Sequence, residues 1–290
     1  MSDEGLPLTL ALCGEIEPRL RALRAACGDQ ALSDYAFSNL YLFRHAHAYR
    51  YLPGALPCIK GITYDGASHL LPLFDPGQAT ADQLAELLSG HDCLFPVAEP
   101  LLACLDPGRF CWSDLAGDAD YVYPAENFRS YRGELLRKKR NLMRQLLATS
   151  TIVARPLTDD TVGGALAVLD AWLRDKDKHA GDADDSACRE ALRQHAQHGL
   201  EGQVYYADGV PAGFFLAQPF TPAVAVMRFA KGNDAYKGIY QYMFHHYCIS
   251  RPGLQWLNFE QDLGMANFRQ TKRSYQPSAM LRKFRVRLRA

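Results

Sequence analysis

Apolar positions recur at two spacings along the chain, and each spacing predicts a different element. Spacing of three to four residues predicts helices over 16–27, 33–44, 80–88, 133–148, 160–174, 187–198, 237–249 and 265–275. Ser33 and Thr80 stand at the heads of two of these, and both residue types are favoured N-caps. Alternating or continuous apolar runs predict strands at 57–63, 68–74, 93–98, 202–207, 211–218, 223–230, 254–260 and 281–288. Asp65-Gly66 and Asp208-Gly209 are hairpin turn signals between neighbouring strands. Hairpins interleaved with helices exclude a purely parallel sheet, so the expected class is α+β, an α/β mixture built on mixed sheets. The polar stretch 177–186 reads as a loop.

At 290 residues the chain has room for two domains or one large one. A hydrophobic content of 48% with 22% charged residues provides a substantial core and excludes disorder. No apolar run approaches the length of a membrane span. The first fifteen residues are acidic and lack a basic leader, so a cytoplasmic rather than secreted protein is expected. The eight cysteines form no C-x-x-C pair and read as buried thiols. Neighbouring histidines at 45/47, 195/198 and 245/246 have no further ligands at metal-site spacing, so no metal is expected.

Formal charge is zero, but its two signs are separated. Through Glu126 there are 7 Lys/Arg against 17 Asp/Glu, and the remainder holds 25 against 15. Basic residues cluster at 129–144 and 269–289, which favours an anionic partner on the second half, or mutual attraction of the halves. The sign changes near residue 127.

Two predicted helices point a cation inward. On 133–148, Lys139 falls in the middle of the face made by Leu135, Leu136, Leu142, Met143, Leu146 and Leu147. On 265–275, Lys272 lies among Met265, Phe268 and Tyr275. An inward ammonium is costly unless a carboxylate or a wet cleft receives it. The strand 254–260 puts Asn258 and Glu260 on one face, and Asp262 follows if the chain stays extended. Glu260 or Asp262 is therefore expected to pair with Lys139 or Lys272, either in a reactive cleft or in a structural ion pair. The turn 231–238, with Lys231, Asn233, Lys237 and Gly238, precedes a helix. It reads as an anion site on backbone N–H groups or as an ordinary loop.

The segments YRGELLRKKRN, FAKGNDAYKGIYQYM and WLNFEQDLGMANFRQTKRSYQPSAMLRKF, in that order, resemble the C-terminal-domain family of phosphatidylglycerol lysyltransferases, in its short soluble branch. FSNLYLFR (37–44) extends the likeness over most of the chain. The resemblance implies two tandem GNAT-like acyltransferase domains, each a mixed sheet flanked by helices, with donor phosphates near 231–238. The change of charge near 127 fits a division into 1–127 and 128–290, with the boundary up to about 150. It also implies acyl transfer, with charged tRNA or acyl-CoA as donor and an amine or hydroxyl as acceptor. The sequence lacks the glycine-rich Q/R-x-x-G-x-G/A loop of acetyl-CoA enzymes.

In such a reaction Glu260 is the candidate base with Asp262 as its substitute, and Lys272 and Lys139 stabilise developing charge. Tyr240 or Tyr275 is the candidate proton donor to the leaving group. Asn258, Arg140 and Asn141 are candidate binding residues, and Arg137, Lys138 and Arg144 join Arg140 as phosphate contacts. The alternative is a non-catalytic module that holds RNA or an anionic surface through its basic half.

Overall fold

Local signals set several elements directly. The Thr80 hydroxyl accepts the Gln83 amide while the Gln83 side chain accepts the Thr80 N–H, so the helix Ala81–Leu88 opens on a capping box. Ser33 plays no such part. The helix it was expected to cap begins only at Phe37, and the Ser33 N–H donates instead to Asp120 Oδ2 at 2.8 Å. A long-range carboxylate has taken the place of a local cap.

The computed structural model describes residues 5–179, 181 and 184–289. Its elements through residue 130 are β1 Leu6–Pro7, α1 Cys13–Cys27, α2 Phe37–Leu42, β2 Arg50–Leu52, β3 Cys58–Ile62, β4 Ser68–Pro72, α3 Ala81–Leu88, β5 Cys93–Ala98, β6 Phe110–Asp114, β7 Asp120–Pro124 and α4 Ala125–Ser130. They continue with α5 Arg137–Thr149, β8 Ile152–Pro156, α6 Val162–Asp175, α7 Asp185–Arg193, β9 Glu201–Ala207, β10 Val210–Pro219 and β11 Val224–Gly232. The last are α8 Ile239–Ile249, β12 Trp256–Asn258, α9 Ala266–Arg273, β13 Ala279–Leu281 and β14 Lys283–Leu288. The expected loop at 177–186 falls partly outside the described residues.

The strands form two seven-stranded sheets, ordered β1-β2-β3-β4-β5-β14-β6 and β13-β7-β12-β11-β10-β9-β8. β4 runs parallel to β5 after a crossover through α3, and β11 runs parallel to β12 after one through α8. The other pairings given by register are antiparallel. Both sheets are therefore mixed, as the hairpin signals indicate.

By its contacts the chain divides into two units, Met1–Asp120 with Gln261–Ala266 and Met280–Ala290, and Tyr121–Glu260 with Asn267–Ala279. The sequence reading divides the chain once, near 127. The contacts divide it at Asp120/Tyr121 and give the final strand to the first unit. Composition registers a change of charge along the chain, whereas strand membership depends on which edge the last residues reach.

In the first unit β14 lies antiparallel between β5 and β6. Phe284 and Val286 alternate with Lys283 and Arg285, and all four are buried. Lys283 Nζ meets Asp34 Oδ2 at 2.6 Å, Asp120 Oδ1 at 2.8 Å and Gln261 Oε1 at 2.7 Å. Arg285 reaches Asp65 at 2.6 Å and Asp118 at 3.3 Å. Much of the terminal basic block is thus committed inside this unit and is not a free face for an anionic partner.

The second unit is cored by Tyr121, Tyr123, Phe128, Tyr131, Phe215, Met243, Phe244 and Leu257 among others. The helical faces expected from periodicity are only partly buried. Leu135 and Leu147 are exposed, and so are Met265 and Phe268; α9 buries none of its residues. Leu135 precedes the helix, which starts two residues later, so its phase on the wheel has no meaning there.

Candidate functional site

The site begins where two parallel strands part. β11 and β12 are paired only over Val224–Trp256, Ala225–Leu257 and Val226–Asn258. β11 continues six residues past that register to Gly232, while β12 ends at Asn258. On its other side β11 carries a bulge: Leu216 faces Phe229 and Ala217 faces Met227, so Arg228 has no opposite residue on β10. A bulge re-aims its side chain and bends its strand.

Arg228 is the residue so re-aimed, and its side chain is wholly buried. Its Nε and Nη2 donate to Gln218 Oε1 at 3.0 and 2.7 Å, and its Nη1 forms an ion pair with Glu260 Oε1. Glu260 follows the end of β12 in a left-handed conformation with φ 57°. Asn258, itself buried, holds that turn by accepting the Glu260 N–H on Oδ1 at 2.7 Å. The Glu260 side chain keeps 18% exposure, so the pair has one sealed and one reachable partner.

Lys272 supports the same turn from α9. Its Nζ donates to the main-chain carbonyls of Phe259 and Glu260, the latter at 3.1 Å, and lies 5.7 Å from the Tyr121 ring centroid. The expectation that Asp262 shares a strand face with Glu260 is corrected: the strand ends at Asn258. Asp262 belongs to the first unit, is fully buried, and accepts the Gly264 N–H at 2.8 Å. The left-handed Glu260 interrupts the alternation on which that expectation rested.

Lys139 belongs to a neighbouring group of side chains. Its Nζ lies 4.0 Å over the Tyr275 ring, a cation–π contact, and burial together with Lys138 lowers its pKa to about 8. Tyr275 is buried, and its hydroxyl accepts Gln241 Nε2 at 2.7 Å. Burial pushes its phenol well up. Phe259 packs on Tyr275 at 6.2 Å between ring centroids, so one aromatic contact links this group to the Glu260 turn. Tyr240 accepts the Gly232 N–H at 2.9 Å, and its phenol is pushed up by burial to about 12.

The turn before α8 does not serve as an open phosphate cradle. Gly238, at φ 101°, is the helix cap, and a Cβ placed on it would come within 2.2 Å of the Leu142 carbonyl oxygen. The glycine admits the main chain of α5, not a ligand. Lys231, expected to meet a donor, is buried, bonded to Asp184 at 2.7 and 3.0 Å, and lies over Trp172 at 4.0 Å. Asn233 closes its own turn by accepting the Ala235 N–H at 2.8 Å, and Lys237 is exposed. A coenzyme A pyrophosphate therefore does not fit at this turn.

On α5, Arg140 donates to the Tyr131 carbonyl at 2.6 Å, while Asn141 is exposed. Lys138, Arg144 and Arg137 are exposed too, the last paired with Glu134 at 3.0 Å. Among the described residues no group of His, Cys, Asp and Glu is suited to a metal ion, and no helix is long and apolar enough to cross a membrane.

Sequence reasoning missed Arg228, Gln218 and Gln241. A signal for the first existed: an arginine inside the apolar strand VAVMRFAKG requires a buried acceptor. It did not reveal which carboxylate answers it.

The comparisons with known proteins agree with this architecture. A conserved protein of unknown function from Bacteroides thetaiotaomicron superposes with a TM-score of 0.80 at 22% identity, over 98% of each chain. L-PGS from Bacillus licheniformis gives 0.60 at 12% identity, over 99% of this chain and 94% of that one. A tandem GNAT protein from the clavulanic acid biosynthesis pathway gives 0.51 at 13% identity, over 98% and 97%. A comparison with curated protein sequences finds no match. The likenesses establish two tandem GNAT-like units with an acyltransferase-type fold. The family model for the phosphatidylglycerol lysyltransferase C-terminal region matches residues 26–287, and the chain belongs to that family.

Proposed function

We propose that the second unit transfers an acyl or aminoacyl group from an activated ester to an amine or hydroxyl acceptor at the Glu260 turn. The observation that carries this reading is the reachable carboxylate of Glu260, held by the sealed Arg228 where β11 and β12 part. The acceptor's nitrogen or oxygen attacks the ester carbonyl, the new C–N or C–O bond forms, and the old C–O bond breaks. The acceptor's proton passes to Glu260 and then to the leaving oxygen. Attack makes the acceptor's N–H or O–H acidic, and the Glu260 carboxylate takes the proton at that point.

Lys139 supplies positive charge for the oxyanion, and Lys272 fixes the turn through two carbonyls. Tyr240 and Tyr275 stay neutral and engaged with their neighbours, which makes them positioning groups in this reading. The exposed cations of α5 favour a donor carried on a polyanion, hence charged tRNA over acyl-CoA. The cysteines are free thiols, which suits a cytoplasmic setting.

The test is a pH–rate profile for loss of the aminoacyl ester from a mixture of charged tRNAs, with a pool of small amines and alcohols as acceptors. Lys139 is charged below about 8 and neutral above it, so at a fixed concentration of unprotonated acceptor the rate is expected to fall as pH rises through that value. In Lys139→Arg the fall moves to higher pH because the guanidinium stays charged. A rate that rises through pH 8 in the wild type, or a profile the substitution leaves unchanged, rules out this role for Lys139. No acceptor-dependent ester loss at any pH, with amines or with alcohols, rules out the transferase. Salt-sensitive tRNA binding that ignores the aminoacyl group would then identify a binding module.

A further inference from the structure

Two strands across the second sheet from β11, the last turn of α8 lies against the start of β9. A cavity of about 360 Å³ lies there, lined by Glu201, Gly202, Gln203, Phe215, Tyr247, Ser250 and Arg251. A second, of about 210 Å³, is bounded by the same Tyr247 and Arg251 together with the end of the β10–β11 hairpin. Two polar atoms of the first cavity's lining side chains, the Tyr247 hydroxyl and Gln203 Oε1, are closed off from bulk water. Neither has a hydrogen-bond partner among the described residues. Tyr247 is 2% exposed, and its ring packs on Phe215 at 4.8 Å. An orphaned buried hydroxyl calls for an explanation.

The lining is divided by chemistry. Glu201 and Gln203 are two apart on β9 and so project from one face of the sheet, and both offer oxygen acceptors. Tyr247 lies in the last turn of α8 and Arg251 two residues beyond its end, with the guanidinium 5.4 Å from the Tyr247 ring centroid, and both offer donors. The two walls meet through the half-exposed Glu201–Arg251 ion pair. Arg129 fixes the donor wall by donating to the carbonyls of Cys248 at 3.0 Å and Leu254 at 2.6 Å. Burial keeps the Tyr247 phenol neutral and therefore a donor.

We propose that this cavity binds a free α-amino acid zwitterion. Its ammonium is received by Glu201 and Gln203, and its carboxylate by Arg251 and Tyr247. Each charge of the ligand replaces a partner in the Glu201–Arg251 pair, so neither residue loses its counter-charge on binding. The volume suits a small ligand. The site is separate from the Glu260 turn and does not depend on the transferase reading.

The test is titration calorimetry of the full chain with each free α-amino acid, and with the N-acetyl and amide derivatives of any that bind. At least one amino acid is expected to bind, with each derivative at least tenfold weaker. Tyr247→Phe and Arg251→Met are expected to weaken it at least tenfold, while Glu260→Gln leaves it unchanged. Without ligand, Tyr247→Phe should unfold no earlier than the wild type, because the hydroxyl it removes has no partner. No heat with any amino acid at millimolar concentration overturns the proposal, as does binding that both cavity variants retain.

Discussion

Glu260→Gln is expected to slow acyl transfer by about 10²–10⁴-fold, the usual span for losing a positioned base. The amide keeps the shape of the carboxylate, and its oxygen can still accept from Arg228. It cannot take the proton that must leave the attacking amine or hydroxyl. The substitution also removes the charge that Glu260 sets against the buried Arg228, which lowers stability. The double variant Arg228→Met, Glu260→Gln separates the two effects. Removing both charges is expected to recover stability in urea denaturation without recovering the transfer rate. If the double variant regains activity, the pair is structural and the chemistry lies elsewhere. If Glu260→Gln alone keeps the wild-type rate, the proposed base is excluded.

Lys283→Met is expected to cost the first unit about 3–5 kcal/mol, the range for breaking a buried ion pair from one side. It strands the carboxylates of Asp34 and Asp120 against a side chain that cannot bond to them. Burial pulls the lysine's pKa down, but Asp120 and Asp34 together raise it above its ordinary value. The sign of the linkage follows: the contribution is complete below the unfolded value of 10.5 and is lost as pH rises beyond it. At neutral pH the variant should therefore unfold at clearly lower urea concentration. Adding Asp120→Asn should return part of the loss, since one stranded charge disappears. A midpoint for Lys283→Met within error of the wild type would show that the cluster is solvated.

The two predictions bear on residues that local patterns treat very differently. Glu260 was recognisable because Asn258 and Glu260 share a strand parity, although the strand stops at Asn258 and Glu260 turns left-handed. Its partner was not, since Arg228 is thirty-two positions away and is aimed by a bulge, which depends on the register between β10 and β11. Lys139 was legible as an inward cation from helical phase alone. The aromatic ring beneath it was not, because Tyr275 arrives from another helix end. Lys283 looked like one member of a basic surface block. Only the insertion of β14 between β5 and β6 turns it inward among aspartates.

The amino-acid order by itself determined the class of fold, the hairpins, the capped α3, the family and a candidate carboxylate just past the parallel strand. These follow from periodicity, turn chemistry and motif, each confined to a short stretch of chain. Tertiary structure alone decided which charges are consumed in ion pairs, which glycine admits a helix where a phosphate was expected, and which unit owns the last strand. Those outcomes depend on what distant segments bring to the same place, and a buried charge takes its meaning from the partner that meets it.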